Sequence, residues 1–220
     1  MDPHRILTVE ALRQLYDMPT ERMQKTTFPF LDDHCLRFVA ESPLVFVATA
    51  SGGGMGGGVA GGMDCSPRGG RPGFVHAEDR RTLALPDWPG NNKLSSITNI
   101  LTSDGACGLV FLVPGMDIFL RVNGIATVTT DPALLGRLTE EGRTPKAAIR
   151  LAVQEAFFHC GKALRRSHLW QPDAWAVPQD MPSPGQVVKD QTGLAELSVE
   201  QIDAMYEKAL DEQLYRESKV

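Results

Sequence analysis

The chain has 220 residues, with 22 Lys and Arg against 27 Asp and Glu and a formal net charge of −5. A domain of this length buries roughly 70% of its unfolded surface and needs no disulfide or metal staple. The acidic balance argues against a nucleic-acid binder, which would carry a basic stripe. The longest uncharged apolar run, Gly108–Val113, is too short to span a bilayer. The opening residues Met1–Tyr16 lack the apolar core of a signal peptide. Cys35, Cys65, Cys107 and Cys160 are far apart with no CxxC, which reads as reduced, mostly buried thiols. The expectation is one soluble, cytoplasmic domain with no membrane and no nucleic-acid partner.

Thr8–Tyr16 reads as a short helix with Thr8 as N-cap. Leu31–Glu41 reads as a second, favoured at its start by Asp32 and Asp33 and stopped by Ser42-Pro43. Leu44–Ala50 is a continuous apolar run with valines, a buried strand. Phe74–Ala77 and Thr82–Leu85 read as short strands around a polar turn. A helix is expected over Asn92–Leu101, a strand over Ala106–Val113 ended by Pro114-Gly115, and a long strand over Asp117–Thr130. Asp131-Pro132 opens a short helix.

Lys146–Arg166 carries Ile149, Val153, Phe157, Cys160 and Leu164 at three- and four-residue spacings, which predicts the longest helix of the chain. Trp170–Val188, rich in proline, predicts a surface strap. Ser198 and Gln201 form a capping box for a last amphipathic helix through Ile202, Met205, Tyr206 and Ala209. Five or six strands spaced as hairpins predict a mainly β protein with flanking helices (α+β), an antiparallel barrel or rolled sheet. The expected organisation is a single domain over residues 1–220. Helices occupy 1–43, the barrel core 44–130, further helices 131–170, and a strap with the C-terminal helix 171–220.

Gly52–Gly62 is eight-elevenths glycine and contains GxGxxG. The Asp64-Cys65-Ser66-Pro67 that follows denies the helix a dinucleotide fingerprint requires, so a floppy hairpin connection is the simpler reading. His34-Cys35 and His159-Cys160 are adjacent pairs and lack zinc-ligand spacing, so no metal site is expected. No GxSxG elbow or HExxH is present, and Ser66 has no neighbouring base.

What remains is a polar, glycine-rich set between apolar strands: Asp64–Gly69, Leu85–Lys93, Leu120–Gly124 and His159–Trp170. Each segment has a bland explanation as turn, cap or outward charge. Together they supply cations, amides and free backbone N–H groups, which suit a phosphorylated planar cofactor. In this order, and with Asn99-Ile100-Leu101, these segments resemble the pyridoxamine 5′-phosphate oxidase-like proteins of the FMN-binding split-barrel superfamily. The resemblance spans roughly Phe28 to Trp170.

The resemblance implies an antiparallel FMN-binding split barrel, working as a homodimer with FMN at the subunit interface and a small-molecule substrate. It places Ser66, Pro67 and Arg68, then Leu85 and Pro86, then Asn91, Asn92 and Lys93 around the flavin ring and phosphate. Asn92 and Lys93 take the place of the oxidase's basic pair. Arg121 matches a strand arginine near the ring. Lys162, Arg166, Ser167 and Trp170 would come from the later helix and strap and reach toward the partner's flavin. The oxidase's RxxLLK strand is replaced by Ser66-Pro67-Arg68, and its C-terminal arginine- and histidine-bearing motif has no counterpart. The resemblance therefore does not extend to pyridoxamine phosphate as substrate. The implied activity is FMN-dependent hydride transfer through flavin N5, with no catalytic residue named. The alternatives are a non-catalytic flavin-binding or sensing module, and a split barrel holding deazaflavin or haem.

Overall fold

The computed structural model describes residues 4–51, 62–176, 178 and 180–215. Three short helices come first: α1 (Val9–Arg13), α2 (Glu21–Gln24) and α3 (Asp33–Glu41). The Asp32 carboxylate caps α3, accepting from the Cys35 N–H at 2.8 Å, and Ser42 ends it with extended backbone. The strands are β1 (Leu44–Ala50), β2 (Met63–Gly69), β3 (His76–Asp79), β4 (Thr82–Asp87), β5 (Ala106–Leu112), β6 (Ile118–Thr129) and β7 (Ala147–Cys160). Helix α4 (Ser95–Thr102) lies between β4 and β5, and α5 (Pro132–Arg137) between β6 and β7. After β7 come α6 (Lys162–Arg166), a 3₁₀ turn over Pro172–Ala174, α7 (Pro184–Thr192) and α8 (Val199–Glu212).

All seven strands belong to one antiparallel sheet ordered β2-β1-β5-β6-β7-β4-β3. The sheet rolls so that alternate residues face inward. Val45 and Val47 of β1, Leu109 and Phe111 of β5, Leu120 and Val122 of β6, and Ile149 and Leu151 of β7 are all buried in one core. Burying each such side chain is worth about 1.5–3 kcal/mol. Helix α3, with Leu31 just before it, closes one end through Cys35, Phe38 and Val39, with Phe38 edge-on to Phe158 at 5.5 Å. The result is the split barrel that the hairpin spacing and the family resemblance predicted.

The largest departure from expectation is Lys146–Arg166. It is the strand β7 over Ala147–Cys160, and only Lys162–Arg166 is helical. Ile149, Leu151 and Val153 alternate inward with Arg150, Ala152 and Gln154 outward. The register then slips: Asn123 pairs with Glu155 but Gly124 with Val153, leaving Gln154 as an extra residue. This bulge moves the inward set from odd to even positions, Ala156 and Phe158. The phase change produced the four-residue spacings that mimic a helix. Gly124 allows the close approach at the bulge, since a Cβ there would lie 2.0 Å from the Ala152 carbonyl oxygen.

Strand β2 was not anticipated as a full strand because its sequence, MDCSPRG, carries Pro and Gly. It is an edge strand, paired only with β1, where proline costs no ladder bond. Phe74–Ala77 is replaced by β3 two residues later. The expected strap contains α7, with Ser183 as N-cap and Pro184 at its first position. The Ser198–Gln201 capping box forms. Cys35 and Cys107 are buried and Cys65 and Cys160 exposed, all four free, so half rather than most of the thiols are interior. The glycine-rich run lies outside the described residues apart from Gly62.

Candidate functional site

A cleft of about 1850 Å³ lies between the edge strand β2 and the end of β4, bordered by the start of α4, the 88–94 loop, the 143–147 segment and the end of α8. Alternation along β2 turns Asp64, Ser66 and Arg68 toward it and leaves Cys65 and Pro67 more exposed. Arg68 bridges the opening: its Nη1 donates to Asp87 Oδ1 of β4 at 2.6 Å, with both side chains only 17% exposed. The buried Arg68 Nε has no protein partner, nor does the buried indole N–H of Trp88.

At the α4 end, Asp64 gathers two hydroxyls. Ser66 Oγ donates to it at 3.0 Å and Ser96 Oγ at 2.5 Å. Asn99, fully inside, fixes α4 against the barrel by donating to Gly62 O at 2.7 Å and Thr49 Oγ1 at 3.2 Å. The helix enters through an unusual turn. Asn91 Oδ1 accepts from the Lys93 N–H at 3.0 Å, and Asn92 and Leu94 have left-handed φ of 56° and 54°. Leu94 occupies the N-cap position, so no side chain caps α4. Ser95 and Ser96, which open the helix, line the cleft beside Lys93. The positive end of a helix that no side chain caps favours an anion there.

Ser66, Pro67, Arg68, Pro86, Asn91, Asn92 and Lys93 of the sequence-predicted set thus line one cleft. Leu85 does not: it is fully buried and points into the barrel core. Arg121 lies on the outer face of β6, its guanidinium 4.9 Å from the Phe157 ring centroid. Lys162, Arg166 and Ser167 sit on or at the end of α6. Trp170 donates its indole N–H to Met116 O at 3.0 Å, beside a small surface depression of about 170 Å³. Within this chain those five residues do not line the cleft.

Sequence reasoning missed Arg71, Trp88, Arg143, Lys208 and Tyr215, which line it too. Arg71 stands three residues beyond Arg68 and was within reach of a reading. Tyr215 was not, because no local pattern in the sequence ties it to Trp88. Among the described residues, no group of three or more His, Cys, Asp or Glu could hold a metal ion.

The residues fit a phosphorylated flavin. An uncapped helix end, the ammonium of Lys93 and a half-buried guanidinium with a buried, unspent Nε donor line one cleft.

No curated protein matches the chain. Among solved structures, a variant of HupZ from Group A Streptococcus is 17% identical, covering 59% of this chain and 99% of its own, at a TM-score of 0.46. A pyridoxamine 5′-phosphate oxidase-type protein of Lactobacillus delbrueckii is 21% identical over 59% of this chain and 95% of its own, at 0.42. An FAD binding protein from Mycobacterium smegmatis is 13% identical over 60% and 97%, at 0.39. The family model described as pyridoxamine 5′-phosphate oxidase matches residues 31–160, which take in the whole sheet and the cleft's walls except those from α8. The chain therefore belongs to the pyridoxamine 5′-phosphate oxidase family.

Proposed function

We propose that this protein is an FMN-dependent oxidoreductase, a cytoplasmic homodimer that transfers hydride to or from a small molecule. The observation that carries the reading is the uncapped α4 end, which opens beside Lys93 into the cleft that Arg68 also lines. Family membership supports a flavin-type cofactor, and the anion site at the α4 end beside Lys93 suits the one phosphate of FMN.

In this reading the N–H groups of Ser95 and Ser96, the Lys93 ammonium and Arg68 hold the phosphate. Asp87 orients the Arg68 guanidinium. Asp64 sets the directions of the Ser66 and Ser96 hydroxyls beside the ring. Pro67, Pro86 and Trp88 give the apolar cover that keeps water from the reacting face. Bound flavin would supply the hydride chemistry at N5, and the protein would supply position and electrostatics.

The outer faces of β1, β5, β6 and β7 present Phe46, Val110, Phe119 and Phe157, each half-buried. Arg121 lies among them, and among the described residues no carboxylate pairs with it. A second copy laid on this face would cover these rings and bring Arg121 to the partner's cleft. Lys162 and Arg166, also without ion-pair partners among the described residues, fit the same role. No described helix is long and apolar enough to cross a membrane.

The test is the visible spectrum of the purified protein, with mass spectrometry of what heat releases. FMN at about one per subunit supports the reading. A protein that is colourless and takes up no added FMN refutes it, and release of haem or deazaflavin replaces FMN with that cofactor.

A further inference from the structure

The cleft is larger than one flavin phosphate and ring require. Typical small-molecule sites hold about 300–1,000 Å³, against about 1850 Å³ here. It runs along β2, whose inward residues begin at Asp64, by the α4 end. From Asp64 to Gly69 is about 17 Å of strand, and Arg71 lies beyond. The far end is built by contacts the family-matched segment does not complete. The Glu140–Arg143 bridge closes a two-residue turn with Glu141 and Gly142 both left-handed, at φ 47° and 69°. Glu141 pairs with Arg71. Glu140 accepts from the Tyr215 hydroxyl at 2.7 Å. The Tyr215 ring stands edge-on to Trp88, centroids 4.9 Å apart at 83°. Tyr215 follows α8, and Lys208 and Glu212, one helical turn apart, line the same cleft.

The charge is lopsided. Six cationic side chains line the cleft against the three carboxylates Asp64, Asp87 and Glu212, in a protein of net charge −5. At the far end Arg71 is paired with Glu141, and Arg143, Lys146 and Lys208 line the cleft there with Glu212.

We propose that the end of α8, latched by Tyr215 onto Trp88 and Glu140, completes a second compartment of the cleft that takes an anionic co-substrate bearing phosphate or carboxylate groups. The proposal rests on the flavin reading for its redox role, but the compartment is built from different residues than the phosphate site. Arg143 and Lys208 supply the attraction, and the Trp88 and Tyr215 rings bound the compartment with apolar surface. Burial and the Glu140 hydrogen bond raise the Tyr215 pKa above its ordinary value, so the phenol stays protonated and the latch holds through the neutral range.

The experiment is calorimetric titration of the FMN-loaded protein with inorganic pyrophosphate and, separately, with citrate, at low and at moderate salt. Flavin content is read from absorbance in each sample. Wild type is expected to bind at least one of the two, more weakly as salt rises. Arg143→Ala/Lys208→Ala is expected to lose at least tenfold in affinity at unchanged flavin content. Tyr215→Ala is expected to weaken binding as well, and Lys25→Ala, at the exposed C-terminal end of α2, to leave it unchanged. Which probe binds separates a phosphate from a carboxylate ligand. Binding of neither, or binding insensitive to Arg143→Ala/Lys208→Ala, overturns the proposal. Failure to load FMN sinks the flavin reading separately, and the same titration on the protein as purified then decides the compartment.

Discussion

Replacing Arg68 or Asp87 is expected to lower stability in both cases but to move flavin affinity in opposite directions, and that contrast is the sharpest test of the cleft. The pair is 2.6 Å long with both side chains 17% exposed, intermediate between exposed pairs worth about 0–1 kcal/mol and buried ones whose breakage costs about 3–5 kcal/mol. Arg68→Ala leaves the Asp87 carboxylate half-buried without its counter-charge, and about 2 kcal/mol of destabilisation is expected. Asp87→Asn leaves a hydrogen-bonding amide, so about 1 kcal/mol is expected, with a coupling of about 1 kcal/mol in the double mutant. Both single changes thus lower the denaturant midpoint. For flavin they diverge. Arg68→Ala removes a charge-assisted bond worth about 1.5–3 kcal/mol, raising the FMN Kd about 10- to 150-fold. Asp87→Asn keeps an oxygen that can accept the orienting Arg68 hydrogen bond but removes the negative charge that competes with the phosphate, and tightens FMN several-fold. Guanidinium chloride melts of the flavin-free protein give the first quantity, and fluorescence titration with FMN the second. If both substitutions weaken FMN alike, Arg68 is a structural bridge across the barrel opening and not a phosphate ligand.

Gly124→Ala forces a Cβ to within 2.0 Å of the Ala152 carbonyl oxygen, and a loss of about 3 kcal/mol, read as a lowered Tm, is expected; an unchanged Tm refutes the tight bulge. Asp32→Ala removes the α3 cap and is expected to cost about 1 kcal/mol. Burial pushes the Asp32 carboxyl up, but the Cys35 hydrogen bonds and the nearby His34 charge outweigh it and leave the pKa below its ordinary value. Its contribution is therefore present above about pH 4 and lost as pH falls through the lower folded value. Acid melts of Asp32→Asn should be flatter than wild type in that window. Burial raises the Cys35 pKa to about 12 and that of Cys107 to about 11, so at pH 8 no more than two thiols should react in the native protein, and four in denaturant. Fast reaction of three or four would mean the barrel opens readily.

The sequence was legible where one local rule governed. Leu44–Ala50 is a strand because an unbroken apolar run paired on both sides and buried on one can be little else. Asp32, Ser198 and Gln201 cap helices through contacts three residues away. Seven of the predicted site residues reach the cleft because Ser66–Arg68, Pro86 and Asn91–Lys93 are short stretches that each cross its rim. Leu85 failed because strand alternation turns it inward while its neighbour Pro86 reaches the cleft wall.

The sequence by itself determined the β-rich core, the caps and the chemical character of the β2 and 88–94 segments, since these follow from composition and spacing within about ten residues. Tertiary structure decided the rest. Whether 147–160 is strand or helix depended on Gln154 being extruded as a bulge, which only the Gly124 backbone across the sheet can permit. Whether Arg68 meets Asp87, and Trp88 meets Tyr215 from 127 residues away, depended on rolling the sheet until β2 faced the end of β4. Such pairings leave no periodic trace in the chain, because the energy that fixes them is released only when distant strands have already closed the core.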